Sequence, residues 1–375
     1  MSQVIKVGIV GAGWPGKAHA RGYVGSGGWR ILAVADLIPA RRKEMIDEFK
    51  IAREYAAFEE LLADRELDAV SICLPNYLHA QATIAALKAG KHVVCERPPA
   101  LGVGEAKRID AAAHKYGKQV LYGFQRRFGG NELAAKQAID KGYAGAAYHA
   151  RASWTRTRAI PIGTGWYTDS EKSGGGALMD LGSAMLDLAW SLLGEPAPAS
   201  VYCVTHRPLH HQGLLSDVPR FDVEEAAFAV ARFEGGATLE LSVSWALNQS
   251  PAQNGVVCRV HGDQGAVEVY TAKGSVMHRG FNAKGESKEI PLKLPKLTGH
   301  AAMMRHFREC VLGKARPACG PRQGVVVMQM LEAMYKSAES GKSVAIAGGP
   351  KMLAGPMSNV KSQMSKVADA EGDDE

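Results

Sequence analysis

The chain has no pair of cysteines in C-x-x-C spacing and no Cys/His cluster with metal-ligand spacing; Cys73, Cys95, Cys203, Cys258, Cys310 and Cys319 are scattered. This speaks against a metal ribbon, a dithiol redox motif or a disulfide framework, and leaves reduced core thiols as the reading, with no resident metal expected. No apolar run reaches the roughly 18 residues of a membrane span. No signal peptide precedes the first strand. A cytoplasmic, reducing location with no membrane partner is therefore expected. Lys and Arg exceed Asp and Glu, for a formal net charge of +7 and a pI near 9.0, yet they form no basic block. A scattered excess suits solubility and attraction of anionic ligands, not nucleic-acid binding. Internal repeats are also lacking.

What is present is an ordinary globular composition, 46% hydrophobic and 22% charged over 375 residues, with two domains as the prior. The first apolar run, Val7 to Val10, reads as a buried parallel strand. Gly11, Gly13 and Gly16 follow in G-x-G-x-x-G spacing, with Trp14 and Pro15 between the last two. Gly11 permits the tight turn, Gly13 lets backbone approach a pyrophosphate, and Gly16 lets helix and strand pack closely. The following helix start offers N–H groups to phosphate. A second strand, WRILAVAD, ends in Asp36, 20 residues after Gly16. That acid is placed for the ribose hydroxyls of NAD and against the 2′-phosphate of NADP. Arg41 and Arg42 lie near the same corner, where a guanidinium accepts a 2′-phosphate, so NADP stays open behind NAD.

Strands then alternate with helices: LDAVSICLP, NYLHAQATIAALKAG, KHVVCERPPA, GVGEAKRIDAAAHKYG and QVLYGFQRRF. A helix is also expected over FEELLADREL. This order implies βαβ units and a doubly wound parallel sheet, whose ligands bind at the carboxyl ends of the strands. That rule puts Gly11–Gly16, Asp36, Leu74, Pro75, Asn76, Glu96, Arg97 and Phe124–Arg127, including Gln125, on one rim; His79 supports it. The first domain is expected over residues 1–123. The second, over 124–347, carries strands joined by short turns, which implies an antiparallel or mixed open sheet. Residues 348–375 lack periodicity and are expected to be disordered.

The segments GAGWPGKAH, LPNYLH, CERPPA, GFQRRF, WYTDSEKSGGGALMDLG, DVEEAAFAVARFEGG and HGDQGAVEV together resemble the Gfo/Idh/MocA oxidoreductases, which include glucose-fructose oxidoreductase and inositol dehydrogenase. The resemblance spans roughly residues 4–347. It implies an α/β fold, with an N-terminal Rossmann domain and a C-terminal α/β domain with an open, mostly antiparallel sheet. It also implies a nicotinamide cofactor, a sugar or polyol substrate between the domains, and a homodimer or homotetramer built on the second sheet.

Two positions depart from the family. Its Glu-Lys-Pro motif is Glu96-Arg97-Pro98 here. In its Asp-x-Gly-x-His helix motif, Asp180 and Gly182 match but Ala184 replaces the His. Oxidising an alcohol needs a group that takes the hydroxyl proton. Lys and His serve near neutral pH, whereas Arg stays charged. Arg97 retains an electrostatic role. Three readings follow. In the first, a dehydrogenase or reductase has moved its proton chemistry to Asp180, with its pKa raised if it is desolvated, or to Tyr167, Tyr122, or the loop histidines His206, His210 and His211. In the second, a sensor binds cofactor and sugar with little turnover. The third is an NAD-dependent glycosidase.

Other candidates carry two readings each. Arg127 binds substrate or pairs with an acid at the domain junction. Trp154, Arg156 and Arg158 share a strand face, which lines a sugar pocket or an oligomer surface. Trp166 and Tyr167 precede the glycine run, where the family has cleft residues. Asp187 lies seven residues after Asp180, about two helical turns, facing the substrate or bonding within the helix packing. The replacement of Lys by Arg97 leans toward a carbonyl or acidic group on the substrate, as in a keto-sugar or uronate.

Overall fold

The computed structural model describes residues 3–208, 220–270, 274–281 and 284–346; the expected tail and the histidines at 210 and 211 lie outside them. Alternation in the first third produces β1 (Ile5–Val10), α1 (Trp14–Ser26), β2 (Trp29–Ala35), α2 (Pro39–Phe49), β3 (Arg53–Tyr55), α3 (Phe58–Leu62), β4 (Ala69–Ile72), α4 (Asn76–Lys88), β5 (His92–Cys95), α5 (Val103–Tyr116) and β6 (Val120–Tyr122). The strands form one sheet in the order β3-β2-β1-β4-β5-β6, every pair parallel. The order reverses between β1 and β4, and that switch point opens a crevice at the carboxyl ends of the strands. The FEELLADREL helix ends early, at Leu62. Asp64 accepts the backbone N–H of Glu66 (3.0 Å) and a guanidinium N–H of Arg53 (2.7 Å), an Asp turn that competes with helix.

Beyond α6 (Gly130–Asp140), the chain builds β7 (Ala147–Thr155), α7 (Ser170–Ser173), α8 (Ser183–Leu192), β8 (Pro198–His206), β9 (Ala226–Phe233), β10 (Thr238–Ser244), β11 (Gly255–Gly262), β12 (Gly265–Tyr270), β13 (Gly274–Arg279) and β14 (Lys288–Pro291). Two helices, α9 (Gly299–Val311) and α10 (Pro321–Ser340), and β15 (Val344–Ala345) follow. The second sheet runs β14-β13-β12-β11-β7-β10-β9-β8-β15. All its pairings are antiparallel except β7 with β10. One face lies under α8, and Ala150, Ala152, Leu239, Leu241 and Val243 are buried on that side. The other face is open.

The late helices return to the first sheet. On α9, Phe307 stacks on Trp29 with ring centres 5.5 Å apart. A Cβ on Gly22 of α1 would lie 2.9 Å from His300, so the helices meet backbone to backbone at that glycine. α10 packs on α5 and β8. All six cysteines are buried thiols without a disulfide. Among the described residues no helix is long and apolar enough to cross a membrane.

Candidate active site

The glycine turn has the geometry its spacing implies. Gly11 has φ +94°, and a Cβ there would sit 2.3 Å from the Cys73 carbonyl oxygen. A Cβ on Gly16 would sit 2.0 Å from the Gly11 carbonyl oxygen, whereas one on Gly13 would meet only Pro15, at 3.8 Å. The turn is therefore closed at its two ends and open in the middle, where a diphosphate would approach. Gly13 caps α1 without a side-chain hydrogen bond, which leaves the capping role to a ligand or water. Trp14 is 70% exposed and meets the edge of the His300 ring at 6.4 Å. Asp36 accepts from the backbone N–H of Ala12 and of Ile38, both at 2.8 Å. Its carboxylate is thus aimed into the turn, with lone pairs left for ribose hydroxyls. Arg41 is exposed beside it. Arg42 instead donates to the Asp36 carbonyl (2.7 Å) and to Glu54 (2.7 Å).

At the ends of β4 and β5 the rim is braced by histidines. His79 is buried, with Nδ1 2.8 Å from the Pro98 carbonyl oxygen and Nε2 2.8 Å from that of Leu74. Both partners only accept, an arrangement that favours a proton on each ring nitrogen, the imidazolium form. Burial opposes that charge; the Cys95 sulfur and the two carbonyls outweigh it and lift the pKa to about 9. Pro75 caps α4, and the Asn76 amide donates to the Ser173 carbonyl (2.8 Å), tying this rim to the second domain. Glu96 accepts from His19 (2.8 Å), whose other nitrogen meets Ser71 (3.0 Å). Burial raises the Glu96 pKa, but His19 and then Arg97 outweigh it and hold it below the usual carboxylate value. His300 lies 5.7 Å from the His19 ring; burial and His19 pull its pKa down to about 4. Gln125 opens the 3₁₀ turn Gln125–Phe128 after β6 and is partly exposed.

Across the crevice, the glycine run is anchored before its helix begins. A Cβ on Gly176 would lie 1.9 Å from the Glu224 carbonyl oxygen. The buried Glu224 carboxylate accepts the N–H groups of Gly176 (3.0 Å) and Leu178 (2.8 Å). A π-helical turn, Leu178–Gly182, precedes α8 and carries Asp180. Arg97 donates to the Asp180 carboxylate (2.9 Å) and carbonyl (2.6 Å). Trp245, just past β10, donates its indole N–H to the other carboxylate oxygen (2.8 Å). Burial works against the Arg97 charge, and Asp180 and Glu96 outweigh it. Tyr167 stands beside the pair, stacked on Trp166 (3.9 Å) and edge-on to Trp245 (6.4 Å). Burial, then Asp180, pushes its phenol up to about 12.

Several expected residues go elsewhere. Arg127 forms a two-pronged ion pair with Asp187, both bonds 2.7 Å, and also donates to Glu195 (2.6 Å) and the Ala318 carbonyl (2.7 Å). Both side chains are almost fully buried. Their groups are spent on one another, so the structure turns them into a brace between the 3₁₀ turn and α8 rather than ligands for a substrate. Trp154 and Arg156 lie on the covered side of the second sheet, with Trp154 packed on the core. Arg158 diverges to Asn248 (2.7 Å). His206 is exposed at the end of β8, in register with the open-face positions Tyr202 and Val204. Tyr122 is fully buried, its ring under Gly324 of α10. Trp245, Glu224 and His300 were not singled out from sequence; each reaches the site only through long-range pairing.

Residues 5–124 match the model described as oxidoreductase family, NAD-binding Rossmann fold, and residues 136–346 that of the oxidoreductase family, C-terminal alpha/beta domain. The D-glucoside 3-dehydrogenase of Escherichia coli (strain K12) is 30% identical over 354 residues, 92% of this chain and 98% of that protein. The crystal structure of GenD2 from gentamicin A biosynthesis, in complex with NAD, superposes with a TM-score of 0.77 at 25% identity, over 93% of this chain and 98% of that one. A levoglucosan dehydrogenase in complex with NADH and levoglucosan shares the fold, with a TM-score of 0.81 at 20% identity, over 92% of this chain and 100% of that one.

Proposed function

We propose, from the premise that this chain belongs to the Gfo/Idh/MocA oxidoreductase family, that it is a nicotinamide-dependent sugar or polyol dehydrogenase or reductase that uses NAD. The observation that carries the reading is the Arg97–Asp180 pair. One partner follows β5 at the carboxyl ends of the Rossmann strands; the other comes from the π turn of the second domain. When bound, the nicotinamide exchanges a hydride with the carbinol carbon of the substrate. Gly11, Gly13, Gly16 and the start of α1 suit its diphosphate, Asp36 its ribose, and Leu74 to Asn76 the rim around it.

Arg97 donates to the reacting oxygen and stabilises the negative charge that develops there. It cannot take the proton. Asp180 accepts one hydrogen bond on each oxygen and keeps a lone pair on each, so it takes the hydroxyl proton in oxidation and returns it in reduction. Tyr167 keeps its proton and orients the substrate as a donor. Trp166 extends the aromatic wall. Asp180→Asn keeps the shape and removes the acceptor: turnover should fall at least tenfold, with NADH affinity within threefold of the parent. A variant at parental rate contradicts the assignment.

A second reading, a binding protein with little turnover, is favoured by one observation: both Asp180 oxygens are already engaged in the free protein. The same kinetics decide between the two. We also propose that copies pair through the open face of the second sheet. There Tyr202 and Val230 are directly paired and 44% and 45% exposed, beside a groove of about 700 Å³.

A further inference from the structure

Two guanidinium groups converge on Trp154 from distant parts of the chain. Arg126, in the turn after β6, places its guanidinium carbon 4.6 Å from the centre of the Trp154 ring. Arg156, two residues beyond Trp154, places its own at 5.0 Å. An indole face attracts a cation, but it cancels no charge.

The acids nearby are committed elsewhere. Asp180 pairs with Arg97 and Glu96 with His19. Arg126 gives one N–H to Glu132 (3.1 Å), while its Nε is buried without a hydrogen-bond partner. Among the described residues the Arg156 side chain makes no hydrogen bond or ion pair. Burial draws its pKa below the ordinary value, Asp180 opposes this, and Arg97 and Arg126 add to it. The Arg156 backbone N–H donates to the Ser244 carbonyl (3.1 Å), one residue before Trp245, whose indole N–H reaches the Asp180 carboxylate (2.8 Å); the strand end that carries Arg156 therefore lies beside the Arg97–Asp180 pair. Both arginines are only partly buried, so a ligand can reach them. A partly desolvated, uncompensated cation in a cleft is costly unless something anionic completes it.

We propose that Arg156 and Arg126, steadied on Trp154, form a subsite for an anionic group of the substrate, next to the Arg97–Asp180 pair. This rests on the oxidoreductase reading and names its substrate class: a sugar bearing a carboxylate or a phosphate, rather than a neutral hexose or inositol. The guanidinium fork matches either group.

The test reads binding separately from turnover. The full-length protein, saturated with NADH, is titrated calorimetrically with D-glucuronate, D-glucose 6-phosphate, D-glucose and myo-inositol. One of the two anionic sugars should bind about 10- to 100-fold more tightly than the neutral ones, as for hydrogen bonds to charged groups, and added salt should weaken it. Preference for glucuronate identifies the carboxylate, and preference for the other the phosphate. Arg156→Gln should remove the preference, and Arg156→Lys should retain part of it. Equal affinities, no binding of either anionic sugar, or a preference intact in Arg156→Gln overturns the proposal. NAD reduction is followed in parallel. Anionic preference without turnover sustains the subsite and overturns the oxidoreductase reading. Turnover of neutral sugars with no anionic preference does the reverse.

Discussion

Replacing His79 by Gln removes a buried cation whose two nitrogens hold the Leu74 and Pro98 carbonyls. The stability it supplies should depend on pH in a defined window. Its pKa rises from 6.5 to about 9 on folding, so the folded state holds the proton more tightly. That stabilisation is fully present below 6.5 and is lost as pH rises through about 9. At 1.36 kcal/mol per unit, its ceiling is about 3 kcal/mol. Urea unfolding of parent and variant at pH 6 and pH 9.5 measures it as a double difference, which cancels other alkaline titrations. The gap between the proteins should shrink by about 3 kcal/mol between the two conditions. Nitrogen NMR of the parent at pH 7 should show both ring nitrogens protonated. A gap that stays constant, or a neutral ring at pH 7, would refute the imidazolium brace.

Arg97→Lys should leave NADH affinity within threefold, change turnover at least tenfold and add a pH limb, because Lys titrates where Arg does not; unchanged rate and pH profile would remove Arg97 from the mechanism. Asp36→Ala should raise the KM for NAD at least tenfold and narrow the preference over NADP, since the ribose acceptor and the repulsion go together; an unchanged cofactor ratio would count against the ribose role. Light scattering should show more than one copy per particle, and Val230→Arg on the open sheet face should shift it toward monomer; a parent that is already monomeric removes that interface.

Features written locally were the legible ones. Gly11, Gly16 and Asp36 act through turns and the strand next door, so their spacing carried their geometry. The alternation of strand and helix carried the parallel sheet for the same reason. Asp180 was found through a motif, but its partner Trp245 lies 65 residues on, at a strand end that nothing local distinguishes. Arg126 and Arg156 meet at Trp154 only because the turn after β6 and the end of β7 converge. The spacing of Asp187 from Asp180 leaves it facing the substrate or bonding within the helix packing, and Arg127, 60 residues earlier, claims its carboxylate for the packing. The return of α9 to α1 depends on an apolar helix face whose target the sequence does not name.

The most direct test of the central claim is a single-turnover measurement. Concentrated protein is saturated with NAD or NADP and mixed with sugars, inositols and sugar acids, while absorbance is followed at about 340 nm. The reverse direction uses NADH and the matching keto compounds. A burst with one substrate class, larger with NAD and lost in Asp180→Asn, is the result predicted. No absorbance change in either direction, with tight NADH binding shown by fluorescence, would contradict it and leave the low-turnover binding protein as the account.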